Sequence, residues 1–197
     1  MKWLHTLTGF RKMSFDLDTN IVKEKAKELG ADLVGIVSAD TLNEFPPDPK
    51  WPQTPDRISP HVKSVIVISK RIPVGAFRSK SNIPVQYMDM LVLRAMDKVG
   101  YRLTEWLESQ GYPAFVTAAQ ETDWSYKKAS YGRLSTRHLG IEAGLGTFGL
   151  EVNILTPEFG PRVYLTGILT EATIEADERI TEPVSYTHLR AHETEEN

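Results

Sequence analysis

The chain of 197 residues contains no cysteine. That excludes a disulfide framework, a thiol nucleophile and any cysteine-ligated cluster held from within these residues. Long hydrophobic runs are missing too: Val65-Ile-Val-Ile68 is far shorter than the roughly 20 residues of a membrane-spanning helix. Charge of one sign is also scarce. Twenty-three Lys and Arg against 26 Asp and Glu leave a formal net charge of −3. No basic cluster dominates, so there is no direct signal for nucleic acid. Residues 1–12 have a weak apolar centre but no sustained hydrophobic region and no Ala-x-Ala-like site, which argues against a signal peptide and makes the cytoplasm the expected location. What is present, an apolar fraction of 41%, suffices for one core, and the length suits one domain.

Residues 1–17 read as an irregular leader. Asp18 or Thr19 can cap a helix over 20–30, with Val22, Ala26 and Leu29 as its apolar stripe. Residues 32–38 read as a strand. The proline-rich stretch 45–60, with Trp51, reads as an ordered loop or crossover. Residues 63–69 form a continuous β-branched run, hence a buried central strand. After a polar loop over 71–84, Leu91, Ala95, Val99, Leu103 and Leu107 recur at four-residue spacing and predict a helix over 87–110, ended by Gly111. Residues 112–118 are a strand candidate and 120–132 a polar, aromatic loop. A helix ending at Ala143 follows, then strand candidates at 152–156 and 162–170, expected to pair antiparallel across 157–161. The whole predicts an α+β domain over 18–184, with helices packed on a mixed, largely antiparallel sheet and no internal repeat.

Residues 185–197 lack apolar periodicity and resemble the translated adapter read-through attached to truncated metagenomic gene models. They are expected to be a foreign tail. His188 and His192 have helical ligand spacing but lack the Glu of H-E-x-x-H, so no metal site is expected there.

Two glycine-punctuated loops carry the most information. Gly144, Gly146 and Gly149 match G-x-G-x-x-G. The dinucleotide version needs a strand before the loop and a helix after it. Here a helix-compatible segment precedes and a strand candidate follows, which disfavours that reading. The glycines then serve close backbone approach to a large ligand, or Gly144 simply ends a helix in a left-handed cap.

Ala143-Gly-Leu-Gly-Thr-Phe-Gly149, Ile154-Leu-Thr-Pro-Glu-Phe-Gly-Pro-Arg-Val163 and Ile168-Leu-Thr-Glu171, with the opening Glu28-Leu-Gly-Ala-Asp-Leu-Val-Gly-Ile-Val37 and the strand at 62–68, resemble the cobalamin-dependent iron–sulfur reductases, which comprise epoxyqueuosine reductase and the reductive dehalogenases. The resemblance spans most of 20–184 and is strongest in the two loops. It implies a nitroreductase-like fold that binds a corrinoid, here cobalamin, followed in the family by a module with two [4Fe–4S] clusters. Glu182-Pro-Val184 stands where the family's cysteines would soon begin, so a truncation before that module would account for the missing cysteines. Function in a full-length protein would be reductive deoxygenation or dehalogenation, and the chain as written is expected to be inactive. The partners implied are the corrinoid and a small-molecule or modified-nucleoside substrate, with no membrane.

The resemblance implies cofactor contacts from Gly144, Gly146, Gly149, Ile154, Leu155, Thr156 and Gly160, with Arg137 at the cofactor periphery. A Gly146→Val change would then abolish corrinoid binding and spare the fold. Tyr87 and Tyr131 are candidate proton donors, and Arg162 a candidate for binding substrate or polarising a leaving group. Each has a plainer alternative: half-buried aromatics for the tyrosines, a surface cation beside Glu158 or Glu171 for Arg162, and a bridge to Glu142 for Arg137. His138 is expected to be structural or exposed, since the resemblance implies no protein ligand on the lower face of the cobalt. The chain also departs from the family. The aspartate of the queuosine branch is absent near Ser130, with Asp123 the nearest upstream, and Ala119-Gln120 replaces the asparagine of the dehalogenase branch. Two alternatives follow. One is an FMN-dependent nitroreductase-like enzyme, for which the leader offers only Lys2, Arg11 and Lys12 as early phosphate contacts. The other is a non-catalytic binding domain of the same fold.

Overall fold

The computed structural model describes residues 17–118 and 131–184. The readings placed on 1–16, 119–130 and 185–197, including those on Asp123, Ser130, His188 and His192, lie outside the described residues. Elements follow in the order α1 (Thr19–Glu28), β1 (Leu33–Ser38), α2 (Ala39–Glu44), a 3-10 turn (Pro55–Arg57), β2 (Ser64–Arg71), α3 (Val74–Phe77), α4 (Ile83–Ser109), β3 (Ala114–Val116), α5 (Thr136–Glu142), β4 (Thr147–Phe148), β5 (Ile154–Leu155) and β6 (Val163–Thr170). No described helix is long and apolar enough to cross a membrane.

The main sheet has the order β1-β2-β6-β3, and every described pairing in it is antiparallel. β2 and β6 lie at its centre, buried on both faces from Ser64 to Ser69 and from Leu165 to Thr170. Ile36, Ile66, Ile68 and Ile168 point to one face, where α1 and α4 cover them. Val37, Val65, Val67, Leu165 and Leu169 point to the other, where α5 contributes Leu139 and Ile141.

Local chemistry explains the helix boundaries. Asp18 caps α1 by accepting from the amides of Asn20 (2.7 Å) and Ile21 (3.1 Å). Ser38 does the same for α2, accepting from Asp40 N at 3.2 Å. Along α4 the buried stripe is Val92, Met96, Val99, Gly100, Leu103 and Leu107, while Leu91 and Ala95 are exposed. Strict four-residue spacing overshoots a 3.6-residue turn by about 40° per step, so a buried face must drop back one residue within a few turns.

The last two strand candidates do not pair with each other. β5 pairs with β4 in a separate two-stranded hairpin, and β6 crosses to the main sheet. Between them Thr156 and Gly160 bridge, exchanging backbone hydrogen bonds of 3.0 and 2.8 Å, and the Thr156 hydroxyl accepts from Phe159 N at 3.2 Å. This tight turn lets β6 leave β5 and find the eight-residue register of β2.

Beyond β6, residues 171–184 run without regular structure as a strap pinned along its length. Ile174 N donates to the Ser64 hydroxyl at 3.0 Å and the Thr19 hydroxyl donates to Glu175 O at 3.0 Å. Asp177 holds β1 twice: its amide donates to Ile36 O (2.9 Å) and its carboxylate accepts from Ile36 N (2.8 Å). The same carboxylate is ion-paired with Lys23. Val184 N donates to the Thr147 hydroxyl at 3.0 Å.

Candidate functional site

A cleft of about 780 Å³ opens on the α5 side of the sheet. Its walls come from four segments: the end of α2 with the proline loop after it, the residues leading into α5, the outer side of α5, and the β4–β5 hairpin with one strap residue. Pro46 and Pro47 forbid further helix after α2 and turn the chain along the cleft edge. The loop is fastened there by side chains. Gln53 Nε2 donates to Gly132 O at 2.7 Å, and the Tyr131 hydroxyl donates to Asp48 Oδ2 at 3.2 Å.

α5 divides its residues between core and cleft. Leu139, Gly140 and Ile141 are buried, while Arg137, His138 and Glu142 line the cleft. His138 Nε2 lies 2.9 Å from Phe45 O; because a carbonyl only accepts, this nitrogen carries the proton. The other ring nitrogen faces Glu142 at 4.0 Å. Glu142 also takes Arg179 of the strap at 3.1 Å. Arg137 donates to Val152 O at 3.0 Å, so it bridges to the hairpin and not to Glu142. Val152 has φ 60°, a left-handed conformation that a β-branched residue rarely adopts. The carbonyl of this strained hairpin tip is the one Arg137 holds.

Of the sequence-predicted site residues, the structure brings Tyr131 and Arg137 to the cleft. Tyr87 lies on α4, 57% exposed and outside the cleft lining. Arg162 is also away from it. Its guanidinium donates to Ile72 O at 3.1 Å, holding the start of β6 to the end of β2, so neither Glu158 nor Glu171 is its partner.

The glycines do their work within the chain. Gly144 (φ 69°) ends α5 in a left-handed cap, with Gly144 N donating to Ile141 O (3.1 Å) and Leu145 N to Gly140 O (2.9 Å). A β-carbon there would sit 2.4 Å from Glu178 O of the strap. At Gly146 it would sit 2.3 Å from Leu155 O. Both positions need glycine because backbone meets backbone. The amides of Gly149 and Gly160 donate to Asn153 O and Thr156 O, both at 2.8 Å. Ile154, Leu155 and Thr156 are buried. The expectation that Gly146→Val spares the fold is therefore corrected: the added side chain meets the hairpin's own backbone.

Phe45, Asp48, Gln53, Phe148, Val152 and Arg179 line the cleft without having been singled out from the sequence. The ordered proline loop with Trp51 was the available signal for the first three, since ordered loops on a rigid scaffold carry function. Nothing in the sequence announced Arg179.

The walls suit part of a bulky cofactor in polarity: cavities of about 300–1,000 Å³ hold drug-sized ligands, with apolar walls and a few polar groups. Phe45 and Phe148 remain 59% and 45% exposed at the cleft, large apolar surfaces with room for a planar guest. The fit is through side chains, since the amides of Gly144, Gly149 and Gly160 are spent internally. Both nitrogens of His138 face the chain, and among the described residues no group of three or more His, Asp or Glu is placed to hold a metal ion.

No family model matches the chain. Its sequence is 24% identical over 172 residues to an epoxyqueuosine reductase of Bacillus subtilis (strain 168), covering 78% of this chain and 44% of that protein. A crystal structure of epoxyqueuosine reductase with an epoxyqueuosine-modified tRNA stem loop matches with a TM-score of 0.57 at 21% identity, over 85% of this chain and 48% of that one. A reductive dehalogenase structure, described as suggesting a mechanism for B12-dependent dehalogenation, matches with a TM-score of 0.56 at 18% identity, over 81% of this chain and 21% of that one. The chain thus spans about half the length of the epoxyqueuosine reductases it matches. The chain is thus similar in sequence to part of an epoxyqueuosine reductase, and it shares its α+β fold with part of the epoxyqueuosine reductase and reductive dehalogenase structures.

Proposed function

We propose that residues 18–184 are the corrinoid-binding domain of a cobalamin-dependent reductase that performs reductive deoxygenation or dehalogenation, and that residues 185–197 are foreign to it. The observation that carries this reading is the cleft of about 780 Å³ walled by α5 and the β4–β5 hairpin. When bound, a reduced corrinoid supplies a nucleophilic, strongly reducing centre. The chain supplies binding and orientation. Phe45, Phe148 and Val152 offer apolar contact and displace water. Arg137 fixes the hairpin tip that carries Val152. Tyr131, oriented by Asp48, holds a proton at its Oη within the same cleft.

Electrons for such a reaction come from clusters ligated by cysteine in the family the chain resembles, and these 197 residues contain none. The chain by itself is therefore proposed to bind and not to turn over. The substrate class is a small molecule or a modified nucleoside, in line with the tRNA stem loop and the dehalogenation named for two solved relatives. The proposed location is the cytoplasm.

The test is equilibrium dialysis of the purified chain against hydroxocobalamin and, separately, FMN, read by visible absorbance. Retention of hydroxocobalamin, weakened by Phe148→Ala, is the expected result. Retention of FMN alone would replace the proposal with the nitroreductase-like reading, and retention of neither would leave a binding domain without this cofactor.

A further inference from the structure

The long helix α4 has two apolar faces, and only one of them meets the core. Its buried stripe of Val92, Met96, Val99, Leu103 and Leu107 lies on the sheet. Ile83, Tyr87, Met90 and Leu91 form a second stripe, exposed by between 37% (Leu91) and 73% (Ile83). Tyr87 and Met96 are nine positions apart, which at 3.6 residues per turn puts them about 180° apart around the helix. The second stripe therefore points straight away from the sheet. Further along the same line the residues turn charged, with Arg94, Lys98 and Glu105 all exposed. α3 packs beside the apolar first half of α4 and adds Val74 and Phe77, 45% and 49% exposed. All six apolar side chains remain open to solvent. A surface helix normally keeps its outer face polar, and an apolar patch of this kind marks an interaction site.

We propose that this face is where two copies of the chain pair, α4 against α4 about a two-fold axis. The six side chains leave on the order of 500 Å² of apolar surface open, taking roughly 150–250 Å² for each aromatic side chain and somewhat less for the aliphatic ones. A homodimer interface of standard size takes about 800 Å² per copy, about 65% of it apolar, which again is on the order of 500 Å². A two-fold axis makes a patch meet itself, so an apolar stripe needs no second surface to match it. The charges beside the patch do not oppose this: Lys80, Arg94 and Lys98 stand with Asp89 and Asp97, so neither sign dominates. Pairing here buries Tyr87, which lies outside the cleft, as an aromatic anchor of the interface. The cleft opens on the α5 side of the sheet, away from α4, so both clefts stay open in the pair. The assignment is independent of the corrinoid reading.

The experiment is sedimentation velocity of the whole chain from micromolar to sub-millimolar concentration. The wild type is expected to form a dimer that dissociates on dilution. Tyr87→Glu/Leu91→Glu is expected to weaken pairing at least about thirtyfold, the loss of one interface anchor, because it sets like charges against each other across the axis. Its thermal midpoint, measured on dilute protein, should be little changed, since both side chains are exposed. Leu150→Glu, at the fully exposed tip of the β4–β5 hairpin, should leave the dimer intact. Hydrogen exchange over residues 74–91 of the wild type should slow as concentration rises, a reading that needs no substitution. A wild-type chain that stays monomeric at every concentration would overturn the proposal and leave the face to another segment or partner. A dimer that survives Tyr87→Glu/Leu91→Glu, or one that is lost in Leu150→Glu, would overturn the placement on α4.

Discussion

The two faces of the sheet are built by different means. On one, the 27-residue α4 lays Met96, Leu103 and Leu107 on Ile66, Ile68 and Ile168 with α1 beside it, a continuous aliphatic contact. On the other, the seven-residue α5 cannot span the sheet, and the hairpin and the segment between α2 and β2 complete the cover. That side is held by backbone-to-backbone approach at Gly144 and Gly146 and by single polar pins. The regular face is sealed, and the pieced-together face contains the cleft. A site needs walls that do not close on one another, and short segments tied by polar groups provide them.

The contrast can be broken by substitution. The largest effect is expected on the regular face: Leu103→Ala, at a fully buried position, should lower unfolding free energy by about 3 kcal/mol in urea titration. Gly146→Val should come close to that, at roughly 2–3 kcal/mol in the ligand-free chain, because its β-carbon meets a carbonyl oxygen that cannot retreat alone. If Gly146→Val leaves stability intact and removes only hydroxocobalamin binding, the glycine faces the guest after all and the two faces differ less than described. Asp177→Ala, which strips a carboxylate from Ile36 N and Lys23, should cost about 2 kcal/mol and loosen the strap by hydrogen exchange. A cost near zero would mean that the strap is draped and not fastened. The smallest effect is a gain. Val152→Gly should raise stability by about 0.5 kcal/mol, relief of the left-handed strain being partly offset by the freer unfolded chain.

The regular face was also the legible one. α1, α4 and β2 each bury one face or both, and burial imposes a period that the residues must obey. Even there the stripe of α4 drifted at Leu91 and Ala95, because spacing alone does not say where a helix turns its face back. α2 and α3, at six and four residues, are too short to show a period. The pairing of β5 was misplaced because Thr156 and Gly160 close a turn that looks, in sequence, like a hairpin loop. Of the candidate site residues, Tyr131 and Arg137 line the cleft, whereas Tyr87 and Arg162 lie outside its lining. Partners such as Asp48 for Tyr131, 83 positions apart, depend on how distant loops meet and leave no local trace.

Asp177 has one more consequence. By occupying both the outward amide and the outward carbonyl of Ile36, it leaves no template at mid-strand β1 for an incoming peptide. The opposite border, β3, is only three residues long. Among the described residues, growth of the sheet by lateral addition of foreign strands is thus discouraged at both margins, while one face stays open to a guest.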